Sequence, residues 1–317
     1  MGSPQRWRVA VLLAGLALVA TACSDKATPQ ATWSGGPSAG APSDGAAASP
    51  SVSPPPTGKP VHVRLYEKDG ATYGVGMPII AYLSQTITSS KDFTAATEVT
   101  VNGAPAQGAW YFQKSAIYAD YPIEAHYRPA EFWPAHADIA MKMDTKGKSG
   151  GTGWVFDNSL SLDMKTGAAN IGKVDGKTLH MVVTSDDKQV FDFPVSLGKA
   201  STPTFNGTKV VMEKKAVEHM VGADYDEKVP WSVRITNSGE YVHSASWNGG
   251  NIGQRSTSHG CTNLTEANAK SYFDFAQVGD PITYTNTGGP TMPSWDGYGD
   301  WNIAWATWQA GGVVTAK

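Results

Sequence analysis

The chain has 317 residues, of which 41% are hydrophobic and 17% charged, and its formal net charge is −3. This length predicts one or two domains with enough chain for a sizeable core, and the weak negative charge excludes a basic nucleic-acid-binding surface. Low charge, 34 glycines and 10% aromatic residues favour an exported, mainly β protein.

The first 23 residues have the pattern of a secretion signal. Arg6 and Arg8 precede an apolar run over residues 9–22, which is shorter than the roughly 20 residues that a membrane-spanning helix needs. The run ends in Leu18-Val-Ala-Thr-Ala-Cys23, which resembles a bacterial lipobox. We therefore expect Cys23 to be lipidated and to become the mature N-terminus. A plain secretory signal with an incidental cysteine is the alternative.

Residues 24–58 consist almost entirely of Pro, Ser, Ala, Gly and Thr. Such a composition cannot bury a core, so a disordered tether is predicted. A coil of this length spans about 30–35 Å on average. The tether is therefore long enough to hold a folded domain away from a membrane surface.

A small β-sandwich is predicted over residues 59–150. Strand-like runs alternate with turn residues along this stretch, at residues 61–66, 79–83, 97–101 and 117–121. The stretch contains no cysteine, so no disulfide can link its strands. The aromatic and proline-rich segment 127–134 indicates a packed corner rather than a ligand site.

A Gly- and Lys-rich run at residues 146–153 marks the next boundary, and a second, mostly β domain is predicted over residues 151–288. Thr265 is a plausible N-cap for a short helix whose apolar residues recur at helical spacing from Ala269 to Ala276 and which Gly279 ends. Strand-like runs make up most of the rest, at residues 160–164, 178–184, 188–197, 209–212, 231–235, 240–242 and 281–285.

The run Ser258-His-Gly-Cys-Thr-Asn263 carries the chemistry of this domain, and His243 precedes it. A cysteine provides a soft nucleophile, and a nearby imidazole can take its proton and lower its pKa. Gly260 lets the backbone turn, so that the N–H groups of Gly260 and Cys261 can converge on an oxyanion. This combination predicts acyl transfer through a thioester.

The motif and the spaced histidine resemble the active site of the L,D-transpeptidases of the YkuD family. The resemblance covers the C-terminal half, and residues 73–83 and 127–134 resemble the Ig-like domain that precedes the catalytic domain in actinobacterial members. It implies a mainly β fold: an Ig-like sandwich, then a YkuD-type catalytic domain with a short helix after the nucleophile loop. It also implies that Cys261 is the nucleophile, His243 its base, and His259 a residue that shapes the site.

The same resemblance places a lid at residues 213–229 and implies further residues that contact the substrate. The residues expected to bind it are Tyr225, Ser244, Trp247, Ser258 and Asn263. The C-terminal segment 289–317 contains four clustered tryptophans. They are expected to pack the segment onto a domain rather than to form a binding cage.

The implied reaction joins two peptidoglycan stems. Cys261 attacks the carbonyl of the third stem residue, D-Ala leaves, and the amine of another stem resolves the thioester as a 3–3 cross-link. Expected partners are the donor tetrapeptide, the acceptor amine, the membrane through the lipid anchor, and carbapenem inhibitors. The protein is expected outside the cell membrane, anchored to it and facing the cell wall.

Other interpretations remain. Water as acceptor gives an L,D-carboxypeptidase, and a protein amine gives a protein-anchoring enzyme. A non-catalytic peptidoglycan-binding lipoprotein and a papain-like hydrolase are less favoured, because the histidines and Cys261 are intact and His243 comes before the cysteine. Ser196-Leu-Gly-Lys199 mimics a penicillin-binding motif, but its companion motif comes in the wrong order. His243, His259 and Cys261 lack zinc-peptidase spacing, so no metal and no cofactor is expected.

Overall fold

Two β-sandwiches follow one another in the computed structural model, which describes residues 57–222 and 225–314. The predicted signal peptide, the lipidation site Cys23 and nearly all of the tether lie outside the described residues. Within the described ranges, no helix has the length and apolar character needed to cross a membrane.

The first sandwich packs a five-stranded sheet of order β3-β11-β9-β5-β6 against a four-stranded sheet of order β2-β4-β8-β7, and β1 pairs with β10 beside them. Side chains alternate along β9, where Ile139, Met141 and Met143 are buried between exposed or half-buried neighbours, as a strand with one face on a core requires. The elements are β1 (Lys59–Val61), β2 (Val63–Leu65), β3 (Thr72–Tyr73), β4 (Ile79–Leu83), α1 (Lys91–Ala95), β5 (Thr97–Val101), β6 (Ala104–Pro105), β7 (Gly108–Lys114), β8 (Ile123–Pro129), β9 (Asp138–Met143), β10 (Trp154–Phe156) and β11 (Leu160–Thr166).

The boundary between the sandwiches lies later than the sequence predicted. Strand β11 was assigned to the second domain, but it pairs along its length with β9 of the first sandwich, from Leu160 with Met143 to Lys165 with Asp138. The first sandwich therefore extends to Thr166 rather than to residue 150. Composition misplaced the boundary because the Gly-rich run before Trp154 is a turn within the sandwich.

A second correction concerns residues 117–121, which do not form a strand. They are a turn between β7 and β8, in which Ser115 N–H donates to the Pro122 carbonyl at 3.0 Å. Ile117 is half-exposed, while the Tyr118 ring packs edge-on against Tyr82 with centroids 4.9 Å apart. The turn has the apolar residues of a strand because Tyr118 and Tyr121 both pack back against Tyr82 of β4.

The second sandwich contains a five-stranded sheet of order β14-β13-β12-β20-β15 and a four-stranded sheet of order β16-β17-β18-β19. The N-cap prediction for its helix is confirmed, because the Thr265 hydroxyl accepts from Asn268 N–H at 3.3 Å. The helix ends at Phe275, before the predicted stop at Gly279. The elements are β12 (Asn170–Asp175), β13 (His180–Ser185), β14 (Lys188–Pro194), β15 (Gly207–Val210), β16 (Glu213–Val221), β17 (Asp226–Arg234), β18 (Tyr241–Ser244), the 3₁₀ turn Ser246–Asn248, β19 (Thr262–Leu264), α2 (Glu266–Phe275) and β20 (Pro281–Thr285).

The two sandwiches belong to one compact unit and meet through backbone contacts. Gly74 N–H donates to the Val278 carbonyl at 2.8 Å, and Gly76 N–H donates to the Gly279 carbonyl at 2.9 Å. A Cβ on Gly74 would lie 2.2 Å from Asp280 N, so only glycine permits this approach. The interface therefore fixes the first sandwich against the segment that follows helix α2 of the second sandwich.

The C-terminal segment contacts both sandwiches and contains a 3₁₀ turn, Gly299–Asn302, and α3 (Trp305–Gln309). The Trp308 indole N–H donates to the Ala109 carbonyl of the first sandwich at 2.8 Å, and Asn302 bonds to the Thr208 backbone of the second. Arg128 lies 4.4 Å from the Trp308 ring centroid. The predicted packing role is confirmed for Trp308, whereas Trp295 is 56% exposed.

Candidate active site

His243 is held at the centre of the four-stranded sheet of the second sandwich. Strand β18 runs antiparallel to β17 and parallel to β19, with His243 opposite Asn263. The imidazole is buried, and its Nδ1 lies 2.8 Å from the Ser244 carbonyl oxygen. Because a carbonyl only accepts, Nδ1 carries the proton and Nε2 holds the free lone pair. Burial lowers the pKa of His243 to about 4, so the ring is neutral near pH 7.

Cys261 ends the loop that enters β19, and its thiol is a donor in the resting structure. Its Sγ lies 3.6 Å from the Gly239 carbonyl oxygen. Burial raises the pKa of this thiol to about 12, and the nearby Glu240 carboxylate contributes in the same direction. The expected lowering of the thiol pKa by a neighbouring imidazole is therefore wrong for the resting site. A neutral thiol and a neutral imidazole form the resting pair.

The loop that carries Cys261 is braced by its own polar groups. The Ser258 hydroxyl donates to the Cys261 carbonyl at 2.6 Å and accepts from Gly260 N–H at 3.1 Å. Thr204 bridges the loop to the preceding segment, since its hydroxyl accepts from Gly198 N–H and donates to the Gly260 carbonyl at 2.7 Å. Gly260 has φ +129°, which strains any other residue.

This bracing corrects the prediction for the oxyanion donors. The Gly260 N–H faces the Ser258 hydroxyl rather than the cavity, so it is already used. Among the described residues, Cys261 N–H makes no hydrogen bond. Of the two backbone groups predicted to meet an oxyanion, the Cys261 N–H is the one that this loop leaves available.

A cavity of about 240 Å³ opens in front of the thiol and the imidazole. Its lining brings together seven of the nine residues predicted to form the site; Gly260 and Ser244 are the exceptions. The lining residues are Met220, Tyr225, Glu227, Val229, His243, Trp247, Asn248, Thr257, Ser258, His259, Cys261 and Asn263. Ser244 instead has a buried hydroxyl outside this lining, and its carbonyl orients His243.

Four aromatic rings form walls of the cavity. The His243 and Trp247 rings are stacked with centroids 6.1 Å apart. On the other side, Tyr225 lies against His259 with centroids 5.2 Å apart, and Lys199 Nζ is 3.0 Å from His259 Nε2. His259 is exposed, unlike His243. A buried imidazole can act as a base on the thiol, while His259 is placed to shape the opposite wall.

The predicted lid is a hairpin of β16 and β17, in which His219 pairs with Lys228 and Met220 with Glu227. It brings Met220, Tyr225 and Glu227 to the cavity. Sequence reasoning missed Glu227 and Lys199, because a single carboxylate in a lid and a lysine in a discarded motif give no signal in the sequence alone. No group of three or more metal-ligating side chains occurs within the described residues.

Comparison with known protein families assigns both halves of the chain. Residues 170–283 match the YkuD L,D-transpeptidase catalytic domain, and residues 38–149 match a bacterial Ig domain. Both domain types implied by the sequence are thus confirmed, and the mainly β fold with them.

Several relatives come from mycobacteria. L,D-transpeptidase 2 of Mycobacterium tuberculosis is 32% identical over 268 residues, which cover 80% of this chain and 64% of that protein. The chain therefore spans just under two thirds of that relative's length. The solved structure of the L,D-transpeptidase LdtMt1 in complex with imipenem superposes with a TM-score of 0.59 at 25% identity, covering 70% of this chain and 97% of that one.

A further structure, L,D-transpeptidase 3 of Mycobacterium tuberculosis with a faropenem-derived adduct, gives a TM-score of 0.55 at 26% identity over 70% of this chain and 97% of that one. The domain matches and these relatives indicate the same family as the Ser258–Asn263 motif. The cavity around Cys261 and His243 is consistent with it. This chain therefore carries a YkuD-family L,D-transpeptidase catalytic domain behind a bacterial Ig-like domain, and its homologues are L,D-transpeptidases.

Proposed function

We propose that the chain is a peptidoglycan L,D-transpeptidase that forms 3–3 cross-links through a Cys261 thioester. The observation that carries the proposal is that Cys261 and a neutral, fixed His243 line one cavity. A buried neutral imidazole with a free Nε2 is a base for a thiol. The Ser244 carbonyl holds the ring in the required tautomer, as the third member of a catalytic triad does.

The acylation step follows from this arrangement. His243 Nε2 takes the thiol proton as Sγ attacks the carbonyl carbon of the third residue in a donor stem. The carbonyl oxygen becomes an oxyanion, for which the Cys261 N–H is the available backbone donor of the loop. Collapse breaks the bond to D-Ala, and the imidazolium returns its proton to the departing amine. The products are a thioester on Cys261 and free D-Ala.

The second step restores the thiol. The side-chain amine of another stem attacks the thioester carbonyl, and His243 takes a proton from the attacking nitrogen. Breaking the C–S bond forms the cross-linking amide, and the proton passes to the sulfur. Burial raises the pKa of the thiol to about 12, which favours return of the sulfur to its protonated form. The cycle therefore ends with the neutral Cys261 thiol and the neutral His243 imidazole.

β-Lactams of the carbapenem class are proposed to acylate the same thiol. Relatives have been solved with imipenem and with a faropenem-derived adduct. A β-lactam carbonyl resembles the donor carbonyl in geometry, and ring opening replaces the departure of D-Ala. The aromatic walls formed by Tyr225 and Trp247 suit a compact bicyclic ligand.

The location outside the cell is likewise a proposal. Cys23 would carry the lipid, and residues 24–58 would hold the enzyme off the membrane at the depth of the cell wall. Two acyl chains hold a protein on a membrane firmly, whereas one binds only marginally. This assignment is supported by the signal-like N-terminus.

Product analysis tests the reaction. A purified disaccharide-tetrapeptide is incubated with the wild-type protein and with Cys261→Ala, and the products are identified by mass spectrometry. The proposal predicts D-Ala release together with a dimer linked between third residues, both absent from the variant. Tripeptide monomers alone would make the protein a carboxypeptidase. No turnover, with wild type and variant alike, would favour the non-catalytic binding role.

A further inference from the structure

A buried ion pair lies directly beneath the nucleophile loop. Lys209 on β15 is fully buried, and its Nζ bonds to the Glu240 carboxylate, which is only 6% exposed. The same ammonium lies 3.8 Å from the centroid of the Tyr284 ring. The ammonium is thus enclosed by one carboxylate and one aromatic face.

Both partners of Lys209 reach residues adjacent to Cys261. Glu240 lies alongside Gly260, where an added Cβ would be 3.6 Å from its Cγ and Oε1. Tyr284 bonds through its hydroxyl to the Thr262 hydroxyl at 2.8 Å. One ion pair therefore supports the residue before the nucleophile and, through the tyrosine, the residue after it.

The pair is further tied to the backbone around the site. Glu240 Oε1 accepts from Phe205 N–H at 2.8 Å, next to Thr204, which bonds to the Gly260 carbonyl. Glu240 also directly follows Gly239, whose carbonyl accepts from the Cys261 thiol. The carboxylate is thus part of the same short segment that holds the resting sulfur.

Such a pair is not explained by stability alone. Burying two charges is costly, and apolar residues of similar volume are often as stable. The acyl-transfer steps proposed above use neither group. A charge pair at this place has a consequence for Cys261, since the sulfur develops negative charge as it loses its proton and the two partners act on that charge with opposite signs.

We propose that Lys209 and Glu240 are positioning residues that hold residues 260–262 in place and set the balance of charge around Cys261. The inference rests on the proposed function only in taking Cys261 as the nucleophile. Burial keeps the resting sulfur protonated, the Glu240 carboxylate adds to this effect, and the Lys209 ammonium opposes it by favouring the thiolate. Both effects act on the thiol pKa in these directions.

Other ionisable groups face the pair. Asp296 of the C-terminal segment accepts from Ser238 N–H at 2.6 Å and acts electrostatically on both Lys209 and Glu240. Tyr284 stays neutral, because burial raises its pKa far above the physiological range. Each charge also keeps a second partner when the other is removed, the Tyr284 ring for Lys209 and the Phe205 N–H for Glu240.

The test measures the rate at which iodoacetamide alkylates Cys261 in the full chain, with peptide mapping to separate it from Cys23. Alkylation is followed between pH 6 and pH 10 in wild type, Glu240→Gln, Lys209→Met and the double variant. Asp274→Asn, in the exposed Lys270–Asp274 pair of α2, is the matched control. Thermal melting shows that each variant is folded.

We expect Glu240→Gln to react about tenfold faster than wild type and Lys209→Met about tenfold slower, which corresponds to about one pKa unit in each direction. The double variant returns towards wild type, and Asp274→Asn does not change. Support that is merely structural would move both single variants the same way. Shifts in the same direction, or rates within about twofold of wild type, would overturn the proposal.

If Lys209→Met does not fold, Glu240→Gln alone still tests the proposal. Glutamine keeps the shape of glutamate and an oxygen that can accept the hydrogen bond from Phe205 N–H. A faster rate then supports the proposal, and an equal or slower rate overturns it. The alkylation uses no peptidoglycan, so it stays informative if the proposed reaction is wrong. Failure of the product analysis and failure of this inference are therefore distinguishable.

Discussion

Acylation of Cys261 should be nearly independent of pH in the mildly acidic range. His243 accepts the thiol proton only when its imidazole is neutral, and burial lowers its pKa from the ordinary 6.5 to about 4. At pH 5.5 an imidazole with pKa 4 is about 97% neutral, whereas an ordinary one is about 9% neutral. The structure therefore predicts that the neutral fraction of the base at pH 5.5 is about tenfold higher than for an exposed histidine, so the acylation rate does not fall between pH 7 and pH 5.5.

The assay is the second-order rate of carbapenem acylation, followed by intact mass between pH 5 and pH 8. His243→Ala is the comparison: losing a positioned base typically costs about 10²–10⁴ in rate, and the residual reaction should rise with pH because it depends on the thiolate. Circular dichroism at each pH separates loss of base from loss of fold. A wild-type rate that falls about tenfold between pH 7 and pH 5.5 would refute the buried, neutral state of His243.

The lowered pKa of His243 also determines the direction in which the stability of the fold changes with pH. The unfolded chain binds a proton at this histidine below about pH 6.5, and the folded chain does so only below about pH 4. His243 therefore stabilises the fold fully above pH 6.5, and this contribution is lost as the pH falls through that window. Comparing wild type with His243→Ala isolates it from the other buried groups.

Three further predictions concern the C-terminal segment, the loop that carries Cys261 and the N-terminus. Trp308→Ala removes a fully buried indole and its bond to Ala109, so urea unfolding should show a loss of about 3–5 kcal/mol, whereas Trp295→Ala at an exposed site should change stability by less than about 0.5 kcal/mol. Thr204→Val leaves the Gly260 carbonyl without its donor and should cost about 1–3 kcal/mol and slow acylation. Cys23→Ala should release the protein from the membrane fraction or stall its processing, and unchanged fractionation would exclude Cys23 as the anchor.

The sequence predicted what depends on local pattern. Strands 79–83, 97–101 and 281–285 have the predicted bounds, because alternation between turn residues is a local signal. The helix N-cap at Thr265 was likewise predicted from local sequence. Pairing between distant strands has no such signal, and for that reason β11 was placed in the wrong domain and the turn at residues 117–121 was taken for a strand.

The site was predictable to the extent that its residues lie in one short motif. The run from Ser258 to Asn263 indicated Cys261 as the candidate nucleophile, but it gave no sign of the internal hydrogen bond that occupies Gly260 N–H. The Lys209–Glu240 pair is 31 residues apart in the chain, and no pattern in the sequence joins them. Burial likewise reverses the expected direction of the thiol pKa, and burial is a property of the packed fold.

The central claim is that Cys261 is the nucleophile, and intact-mass analysis after carbapenem treatment tests it most directly. Wild type and Cys261→Ala are treated in parallel, and the modified peptide is mapped so that Cys23 is distinguished. We predict one covalent adduct in wild type, located on the peptide that contains Cys261, and none in the variant. An adduct that persists in Cys261→Ala, or that maps to Cys23, would contradict the account.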